Sequence, residues 1–569
     1  MTNFLQVVAV LVGAAVLSFS ARAEACGCFA QPPQSLGTPV VQAGERILFA
    51  VDNGKVTAHI QIQYSGDAKE FGWLIPLPSV PVVKVGSEEL FTLLLRQTQP
   101  TYQTTTVFTG EGCQRQASPG LSFGCQNRAA AFSPSAGRFE DSAAAPQAPP
   151  SPLVIQATVG PYDYAVLKAD DRAAMVTWLA DNRYVIPTGA DDVVAPYIRP
   201  GAYFLALKLT SGASTGDIAP VVLEYASDLP MIPITLTSIG AQPNMGVQVW
   251  LVGPGRAIPR NYHHVVINDA QLDWANGAGN YSAVVTAAVA TAPTKHAFVT
   301  EYAGTSTVMR DTLVPPGRFG TVSQLAAATT PHAFVQQLID ARFTVGNART
   351  LPSQVKRLVL AAVPYPPALQ QRGISEDQFL GQLDYYLGSF RAQNPDVFLN
   401  YQSSFDAPTL AREVFSTVVQ PLRDANALFT TFPTLTRLYT TLSPADMNRD
   451  PVFSFNPSLP EVSKDHVATL ERSCLGTTLV TEQGYRTPVE TGAGPLPGPA
   501  SATMTSATRL ETLGEEGPAT VLVDNAAAIT AALAPPPAAP SMPTGGCAAV
   551  DPTSLALVVL VARLRRRRP

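Results

Sequence analysis

Charged residues are scarce in this chain of 569 residues: only 14% are Asp, Glu, Lys or Arg, against about 25% in an average soluble protein. The formal net charge is −5, which is small for this length. A broad basic surface for nucleic acid is therefore not expected. Hydrophobic residues make up 46% of the chain, which excludes wholesale disorder. The Ala- and Pro-rich composition suits an exported protein, although a GC-rich genome gives a similar bias.

The common signatures of cofactor and metal sites are also absent from the sequence. Gly277-Ala278-Gly279 has no third glycine, and neither Gly-Lys-Ser nor Gly-Lys-Thr occurs, so phosphate-binding glycine patterns are missing. There is no His-Glu-x-x-His zinc motif. Residues 120–124, GLSFG, have the letters of a nucleophile elbow but lie in a polar loop that no helix follows. We therefore predict no catalytic residues, no metal and no cofactor.

Residues 1–25 have the pattern of a secretory signal peptide. The stretch from Phe4 to Phe19 is almost continuously apolar, and it is followed by ARAEA, in which small residues flank single larger ones. Ala23 and Ala25 are the predicted cleavage positions. The first ten residues contain no Lys or Arg, which leaves an N-terminal membrane helix as an alternative. Cleavage as a lipoprotein before Cys26 is a further one.

Export makes disulfides the expected state of the six cysteines, which are Cys26, Cys28, Cys113, Cys125, Cys474 and Cys547. Cys113 and Cys125 enclose a short polar loop and form the predicted pair. Closing such a loop stabilises a fold by about 3 kcal/mol in the entropic model. Cys26 and Cys28 are too close to pair comfortably with each other. One of them could pair with Cys474, or the two could bind a metal with His263 and His264.

The stretch from Glu45 to Pro81 predicts a β-hairpin followed by a closing strand. Asn53-Gly54 supplies the positive backbone φ angles that a tight hairpin turn needs. Apolar residues alternate along the return strand from Val56 to Ile62, which predicts one buried face. The opposite face, which contains His59, is predicted to be exposed. After this unit, SEELFTLLLR at residues 87–96 predicts a short helix capped by its serine.

Hydrophobic periodicity changes near residue 320. Strand patterns dominate before this point, whereas apolar residues at three-and-four spacing dominate after it. The sequence therefore predicts an α+β fold, with an antiparallel, sandwich-like, β-rich N-terminal half and a mainly helical C-terminal half. The predicted regions are 1–25 (signal peptide), 26–128 (β-rich hairpin unit with a disulfide loop), 129–152 (Ala/Pro/Ser-rich linker), 153–320 (mixed β-rich unit), 321–488 (mainly helical region), 489–546 (Pro/Ala/Gly-rich low-complexity tail) and 547–569 (sorting or membrane-anchor signal).

Several stretches resemble an uncharacterised bacterial family, domain of unknown function 2330. They are ERILFAVDNGKVTAHIQIQY, FGWLIPLPSVP, SDLPMIPITLTSIGAQPNMGVQVWLVG, HHVVINDAQLDWANGAGNY and LTRLYTTLSPADMNRDPVFSFNPSLPEVS. The resemblance spans about residues 26–465. It implies an exported bacterial protein of no established activity, and it transfers no catalytic residue to this chain.

The C-terminus resembles a myxobacterial sorting signal. A Pro-rich spacer leads to Gly545-Gly546-Cys547, an apolar run from Leu555 to Ala562 and four consecutive arginines at 565–568. The resemblance implies cleavage near Gly546 and Cys547 and display at the cell surface. The arginines suit a cytoplasmic end, but the apolar run is far shorter than the roughly 20 residues of a stable membrane helix. A flexible basic tail is the alternative.

Two polar clusters are the remaining site candidates. His263 and His264 begin a predicted strand, so one must face away from the other. Asp446 and Asp450 lie in SPADMNRDPVF, where capping and turn formation are the simpler interpretation and a cation or ligand site the alternative. A pocket that holds either histidine against a carboxylate would favour a hydrolase; the carboxylates considered are Asp269, Asp273 and Glu301. Exposed, scattered side chains would favour a binding protein.

We therefore predict an exported bacterial cell-envelope or surface protein with a structural or binding role. The cell surface or outer membrane is the expected location, with the periplasm or secretion as alternatives. Components of the envelope or surface are the expected partners, with membrane contact through the C-terminal tail and no nucleic acid. A secreted hydrolase whose site assembles only in the fold is the main alternative, and a precursor cleaved in the 129–152 linker is another.

Overall fold

The computed structural model describes residues 41–65, 72–109, 151–184, 190–210, 218–344, 351–398, 403–474, 476–489 and 504–534. Several predictions lie outside these ranges and stay predictions. They concern the signal peptide with Ala23 and Ala25, the Cys113–Cys125 pair, and the tail with Gly546 and Cys547.

The described residues form 20 strands, numbered here in chain order. They are β1 (Val41–Asp52), β2 (Lys55–Ser65), β3 (Gly72–Leu77), β4 (Val82–Val85), β5 (Thr101–Phe108), β6 (Leu153–Val159), β7 (Tyr162–Lys168), β8 (Tyr203–Leu209), β9 (Val221–Ala226), β10 (Ala241–Gly253), β11 (Arg256–Pro259), β12 (His263–Ile267), β13 (Ala297–Thr305), β14 (Thr434–Leu442), β15 (Phe453–Asn456), β16 (Asp465–Ser473), β17 (Gly476–Val480), β18 (Arg486–Val489), β19 (Ala507–Thr512) and β20 (Thr520–Asp524).

A ten-stranded sheet organises the molecule, with the order β20-β19-β12-β13-β14-β10-β1-β2-β9-β4. β1 and β2 form the predicted hairpin, and the φ angles of Asn53 (49°) and Gly54 (74°) confirm the turn. β10 lies parallel to β1, and β12 lies parallel to β13, so the sheet is mixed rather than antiparallel. Three smaller sheets have the orders β3-β8-β7-β6, β18-β17-β16-β5 and β11-β15.

The two faces of the central sheet belong to different hydrophobic cores. Ile47 and Phe49 of β1 pack with the β3-β8-β7-β6 sheet, which forms a sandwich with the central one. Leu48 and Ala50, which point to the opposite face, pack with a layer of helices. Because successive side chains of β1 point to opposite faces of the sheet, this one strand contributes side chains to both cores.

The helices of the described residues are short, and most of them lie between β13 and β14. The α-helices are α1 (Glu88–Thr98), α2 (Arg172–Asp181), α3 (Asp191–Val194), α4 (Ile234–Thr237), α5 (Tyr281–Val289), α6 (Thr307–Leu313), α7 (Val322–Ala326), α8 (Pro331–Asp340), α9 (Ser353–Ala362), α10 (Pro367–Gln371), α11 (Glu376–Gly381), α12 (Leu383–Tyr385), α13 (Arg391–Gln393), α14 (Ala407–Val414), α15 (Gln420–Thr431) and α16 (Ala526–Leu533). π-helical turns span Tyr386–Phe390 and Phe415–Val419. Single 3-10 turns span Ala195–Tyr197, Asp269–Gln271, Trp274–Asn276, Pro293–Lys295, Pro395–Phe398 and Pro444–Asp446. Across the described ranges, no helix is both long enough and apolar enough to cross a membrane.

The predicted cap of α1 is confirmed. The Ser87 hydroxyl accepts a hydrogen bond from the backbone N–H of Glu89 at 3.2 Å, and Glu88 and Glu89 lie in the first turn. Acidic residues at this end complement the positive pole of the helix dipole.

The prediction of a mainly helical C-terminal half is wrong. Strands β14 to β20 follow the helices, and β14 lies inside the central sheet between β13 and β10. The sequence of β14, TLTRLYTTL, is buried on both faces, so it lacks the alternation that marks a half-exposed strand. The parallel strand pairs also contradict a purely antiparallel N-terminal half. The C-terminal strands and the parallel pairs both arise because the chain returns to the central sheet after long connections.

The predicted exposed face of β2 is also wrong at His59, which is only 3% exposed. The helical layer covers this face of the sheet, and residues of α15 line the same cleft as His59. Burial lowers the pKa of His59 to about 4, so its imidazole is neutral at pH 7.

The central sheet takes strands from four of the predicted regions. β1 and β2 belong to region 26–128, β13 to 153–320, β14 to 321–488 and β19 to 489–546. The predicted domain boundaries themselves stay a prediction.

Candidate functional site

A cavity of about 510 Å³ lies between the central sheet and the β18-β17-β16-β5 sheet. β12, β13 and β19 supply one wall, and β5 and β16 supply residues of the other. The polar residues on which its chemistry depends are Tyr102, Arg256, His264, Thr300, Glu301 and Glu511.

Strand pairing places three of these residues side by side. His264 of β12 is the direct cross-strand partner of Glu511 in β19. On its other side β12 runs parallel to β13, where His264 is level with Phe298, two residues before Thr300. Cross-strand neighbours in a sheet lie within side-chain contact distance. The sheet register therefore assembles the group from positions that are far apart in the chain.

Glu511, His264 and Thr300 form a continuous hydrogen-bonded chain. His264 Nδ1 lies 3.0 Å from Glu511 Oε2, and Thr300 Oγ1 lies 3.1 Å from His264 Nε2. Because an ionised carboxylate only accepts, Nδ1–H donates to Glu511 and Nε2 accepts from the Thr300 hydroxyl. Arg256 Nη2 donates to Thr300 Oγ1 at 2.9 Å, which leaves the hydroxyl proton of Thr300 directed at the imidazole.

The surroundings set the charge of each residue in this hydrogen-bonded group. Burial lowers the pKa of the His264 imidazole, although its bond to Glu511 opposes the effect. The bond from His264 lowers the pKa of Glu511, although burial raises it. At neutral pH the group therefore consists of an ionised carboxylate, a neutral imidazole and a hydroxyl.

Arg256 carries a buried positive charge that the described residues leave without a close counter-ion. Its exposure is 8%, and burial lowers its pKa to about 10, so it stays charged at neutral pH. Besides Thr300 it donates to the Pro460 carbonyl at 3.3 Å, while its Nε has no hydrogen-bond partner among the described residues. Within the described ranges no carboxylate oxygen approaches it to 4.0 Å, and Glu511 acts on it only at longer range.

Glu301 also faces the cavity, but its charge is already compensated. Arg437 Nε donates to its Oε2 at 2.5 Å, and Gln248 Nε2 donates to the same oxygen at 3.2 Å. Both side chains of the ion pair are almost fully buried. Glu301 is therefore engaged with Arg437 and Gln248 rather than with His264.

Aromatic rings form part of the opposite wall. The Tyr102 ring stacks on the His466 ring with a centroid distance of 4.8 Å and an interplanar angle of 15°. Trp274 packs edge-on against Tyr102 at 5.4 Å, and Tyr281 lies 5.7 Å away. The rings of Tyr102 and His466 therefore contribute to the wall that β5 and β16 form.

The structure brings His264 and Glu301 into one cavity, but it places the other predicted site residues elsewhere. Asp446 bonds Lys295 Nζ at 3.1 Å, and Asp450 accepts from the Tyr197 hydroxyl at 2.7 Å and from a backbone N–H of α4. His263 points away from the cavity lining and, among the described residues, its Nδ1 has no partner. The two aspartates hold loops and a helix end in place.

The carboxylates that the sequence paired with His264 also differ in their roles. Asp269 accepts from the backbone N–H of Gln483 at 2.9 Å, and burial raises its pKa to about 6. Asp273 caps the turn at Asn276. Nowhere in the described part of the chain do three or more His, Cys, Asp or Glu side chains come together so that they could hold a metal ion.

Sequence reasoning missed Arg256, Thr300 and Glu511. Glu511 lies 247 residues from His264, in a stretch predicted to be low-complexity tail. The alternating stretch ATRLET at 507–512 is a local signal of a strand there. No local pattern indicates which strand it pairs with.

The family model described as "Uncharacterized protein conserved in bacteria (DUF2330)" matches residues 21–349, more than half of the chain. The chain belongs to this family. No curated protein and no solved structure matches it. The part of the chain that the DUF2330 model matches includes Arg256, His264 and Thr300, whereas Glu511 and Arg437 lie beyond it.

Proposed function

We propose that this protein is an exported bacterial envelope protein that binds a small anionic molecule in the cavity. The observation that carries the proposal is the buried guanidinium of Arg256, which faces a cavity and has no carboxylate within ion-pair distance among the described residues. A buried charge is costly unless an opposite charge accompanies it. A ligand anion would supply that charge.

The geometry favours a carboxylate on a molecule that also carries a ring. A guanidinium presents its N–H groups in a planar fork that matches a carboxylate. Arg509, with 44% of its side chain exposed, adds a second positive charge at the cavity, although it also lies 3.4 Å from Glu511. The rings of Tyr102 and His466 line the same cavity and would contact a ring of the ligand. At about 510 Å³ the cavity lies within the usual range of ligand sites, roughly 300–1,000 Å³.

Export to the envelope or cell surface is part of the same proposal. It is supported by the leader pattern of residues 1–25 and by the sorting-like pattern around Cys547. The six cysteines also suit export, because disulfides persist mainly outside the cytoplasm. The intact mass of the protein from native cells, before and after protease shaving, tests this part. A shaving-resistant species that still ends in Arg568-Pro569 would contradict it.

Calorimetric titration of the full chain tests ligand binding, with benzoate as the anionic ring probe and benzamide as its uncharged counterpart. We expect benzoate to bind and benzamide to bind at least tenfold more weakly. Arg256→Gln should weaken benzoate binding about 10- to 100-fold, because a hydrogen bond to a charged group contributes about 1.5–3 kcal/mol.

Arg372→Gln is the matched control, since Arg372 is a partly exposed arginine that pairs with Asp396 away from the cavity. It should leave benzoate binding unchanged. Equal binding of benzoate and benzamide, or an Arg256→Gln protein that binds benzoate like the wild type, would disprove anion recognition at this site.

A further inference from the structure

We propose that the cavity is also an active site, in which Thr300 is a nucleophile that attacks the acyl carbon of an anionic ester. His264 acts as its general base, and Glu511 positions the imidazole. The inference rests on the proposed function, because the substrate would be held in the same cavity by Arg256. It assigns the protein a hydrolytic activity in addition to binding.

The geometry meets the requirements of a hydroxyl activated by a base. The hydroxyl and the base lie 3.1 Å apart, and the base and its positioning carboxylate lie 3.0 Å apart. Both distances fall within hydrogen-bond reach, and the third group fixes the tautomer that leaves Nε2 free to accept a proton. The order of carboxylate, imidazole and hydroxyl is that of the triads found on several unrelated folds.

The placement of these groups differs from that of a purely structural network. All of the side chains involved are at most 8% exposed, and all of them line the cavity rather than a closed core. An ionised carboxylate, an imidazole and a guanidinium with no counter-ion in ion-pair distance among the described residues are less favourable for stability than apolar residues of the same volume. Their meeting at the surface of a cavity is the pattern expected where substrate binds.

The reaction balances with water as the second reactant. Thr300 Oγ bonds to the acyl carbon while its proton moves to His264 Nε2. The bond from that carbon to the leaving oxygen then breaks, and His264 returns the proton to this oxygen. A water molecule next gives a proton to His264 and adds to the acyl carbon, the bond to Thr300 Oγ breaks, and the proton returns to Thr300. The products are an acid and an alcohol.

Arg256 couples substrate charge to this chemistry. Its Nη2 lies 3.4 Å from His264 Nε2, so an imidazolium that forms during the reaction would be repelled by the guanidinium. A substrate carboxylate bound to Arg256 would offset this repulsion. We therefore expect an anionic ester to react faster than a neutral one.

The test uses two chromogenic esters, neutral 4-nitrophenyl acetate and anionic 4-nitrophenyl hydrogen succinate, with the full chain. We expect hydrolysis of both and a higher kcat/KM for the succinate ester. His264→Gln should lower kcat/KM by about 10²- to 10⁴-fold, the usual contribution of a general base. Thr300→Val should abolish the reaction, whereas Thr300→Ser should retain it.

Mass spectrometry of the quenched reaction distinguishes a nucleophile from a structural residue. An acyl group should be found on residue 300 in the wild type and in Thr300→Ser, and it should be absent from Thr300→Val. Thermal unfolding of each variant reports whether it folds. Because folded His264 has a lowered pKa, the acid limb of the kcat/KM profile should lie below pH 6.5, the ordinary value of histidine.

Each outcome addresses one claim. If Thr300→Val hydrolyses both esters like the wild type, or if neither ester reacts, the catalytic inference is wrong. Benzoate binding by the same folded Thr300→Val protein would then show that the binding proposal survives. If both esters react through Thr300 but the succinate ester is not favoured and benzoate does not bind, the anion-binding proposal is wrong instead.

Discussion

Glu45 shows how a single buried position acquires a property that its residue type does not have in water. It lies on β1, is 5% exposed, and lines a second, mainly apolar cavity of about 170 Å³. Burial raises its pKa to about 7, although a hydrogen bond from Gln42 opposes the effect. The folded protein therefore favours the protonated, neutral carboxyl.

The pKa of Glu45 predicts a specific dependence of stability on pH. The ordinary value of 4.5 applies to the unfolded chain and about 7 to the folded one, so the folded state binds more protons between these values. The contribution of Glu45 is fully present below pH 4.5 and is lost as the pH rises through 7. The loss corresponds to about 3 kcal/mol. Glu45→Gln should remove it.

Urea unfolding at pH 5 and pH 8 measures this difference. His59 has the opposite effect, since its folded pKa of about 4 makes the protein more stable as the pH rises towards 6.5. The comparison must therefore be made between wild type and Glu45→Gln at each pH. An identical change in unfolding free energy for the two proteins between pH 5 and pH 8 would show that Glu45 is not buried as described.

At the scale of single elements, the β1–β2 hairpin depends on two residues of its turn. Gly54 has a φ of +74°, and among the described residues a Cβ atom there would meet only Asp228 Oδ1, at 3.6 Å. A Cβ atom would therefore fit at residue 54, and its cost would come from the left-handed backbone conformation. The strand pairing from Val41 to Asp52 continues up to this turn.

Gly54→Ala should accordingly lower the free energy of unfolding by about 1–2 kcal/mol, the cost of a left-handed conformation for an L-residue. Gly381→Ala is the control, because Gly381 ends α11, has no positive φ and, in the part of the chain that the structure describes, has no neighbouring atom within 4 Å of the added Cβ. Its effect should stay within about 0.5 kcal/mol. Urea unfolding measures both, and equal effects would argue against the turn geometry.

At the scale of the whole molecule, the central sheet is continuous only because the chain returns to it after the helical layer. β14 pairs with β10 on one side and with β13 on the other. It lies outside residues 21–349, the part matched by the DUF2330 model. A chain that ends at residue 349 would leave β10 and β13 as open edges beside an uncovered hydrophobic face.

We therefore expect residues 26–349 alone to aggregate and to lack a cooperative unfolding transition. Residues 26–534 keep every described element and should unfold like the full chain. Size-exclusion chromatography and thermal unfolding followed by circular dichroism compare the two. A monomeric 26–349 protein with a sharp transition would show that the matched region folds without β14.

Local physical rules were sufficient for several elements of this protein. The Asn53-Gly54 turn, the alternation of β1 and β2, and the Ser87 cap each depend on residues a few positions apart, so they follow from the sequence itself. His264 was singled out because His263-His264 is the densest pair of histidines in the sequence, and its role in a site stays a prediction.

Tertiary structure alone decided the rest. β14 is buried on both faces, so its sequence carries no period that distinguishes a central strand from a helix. The covering of His59 depends on α15, which begins more than 300 residues further along the chain. The Glu511–His264–Thr300 chain exists because β19 and β13 flank β12. Which distant strands become neighbours is settled by how all of their faces are buried together, and no local stretch of sequence contains that information.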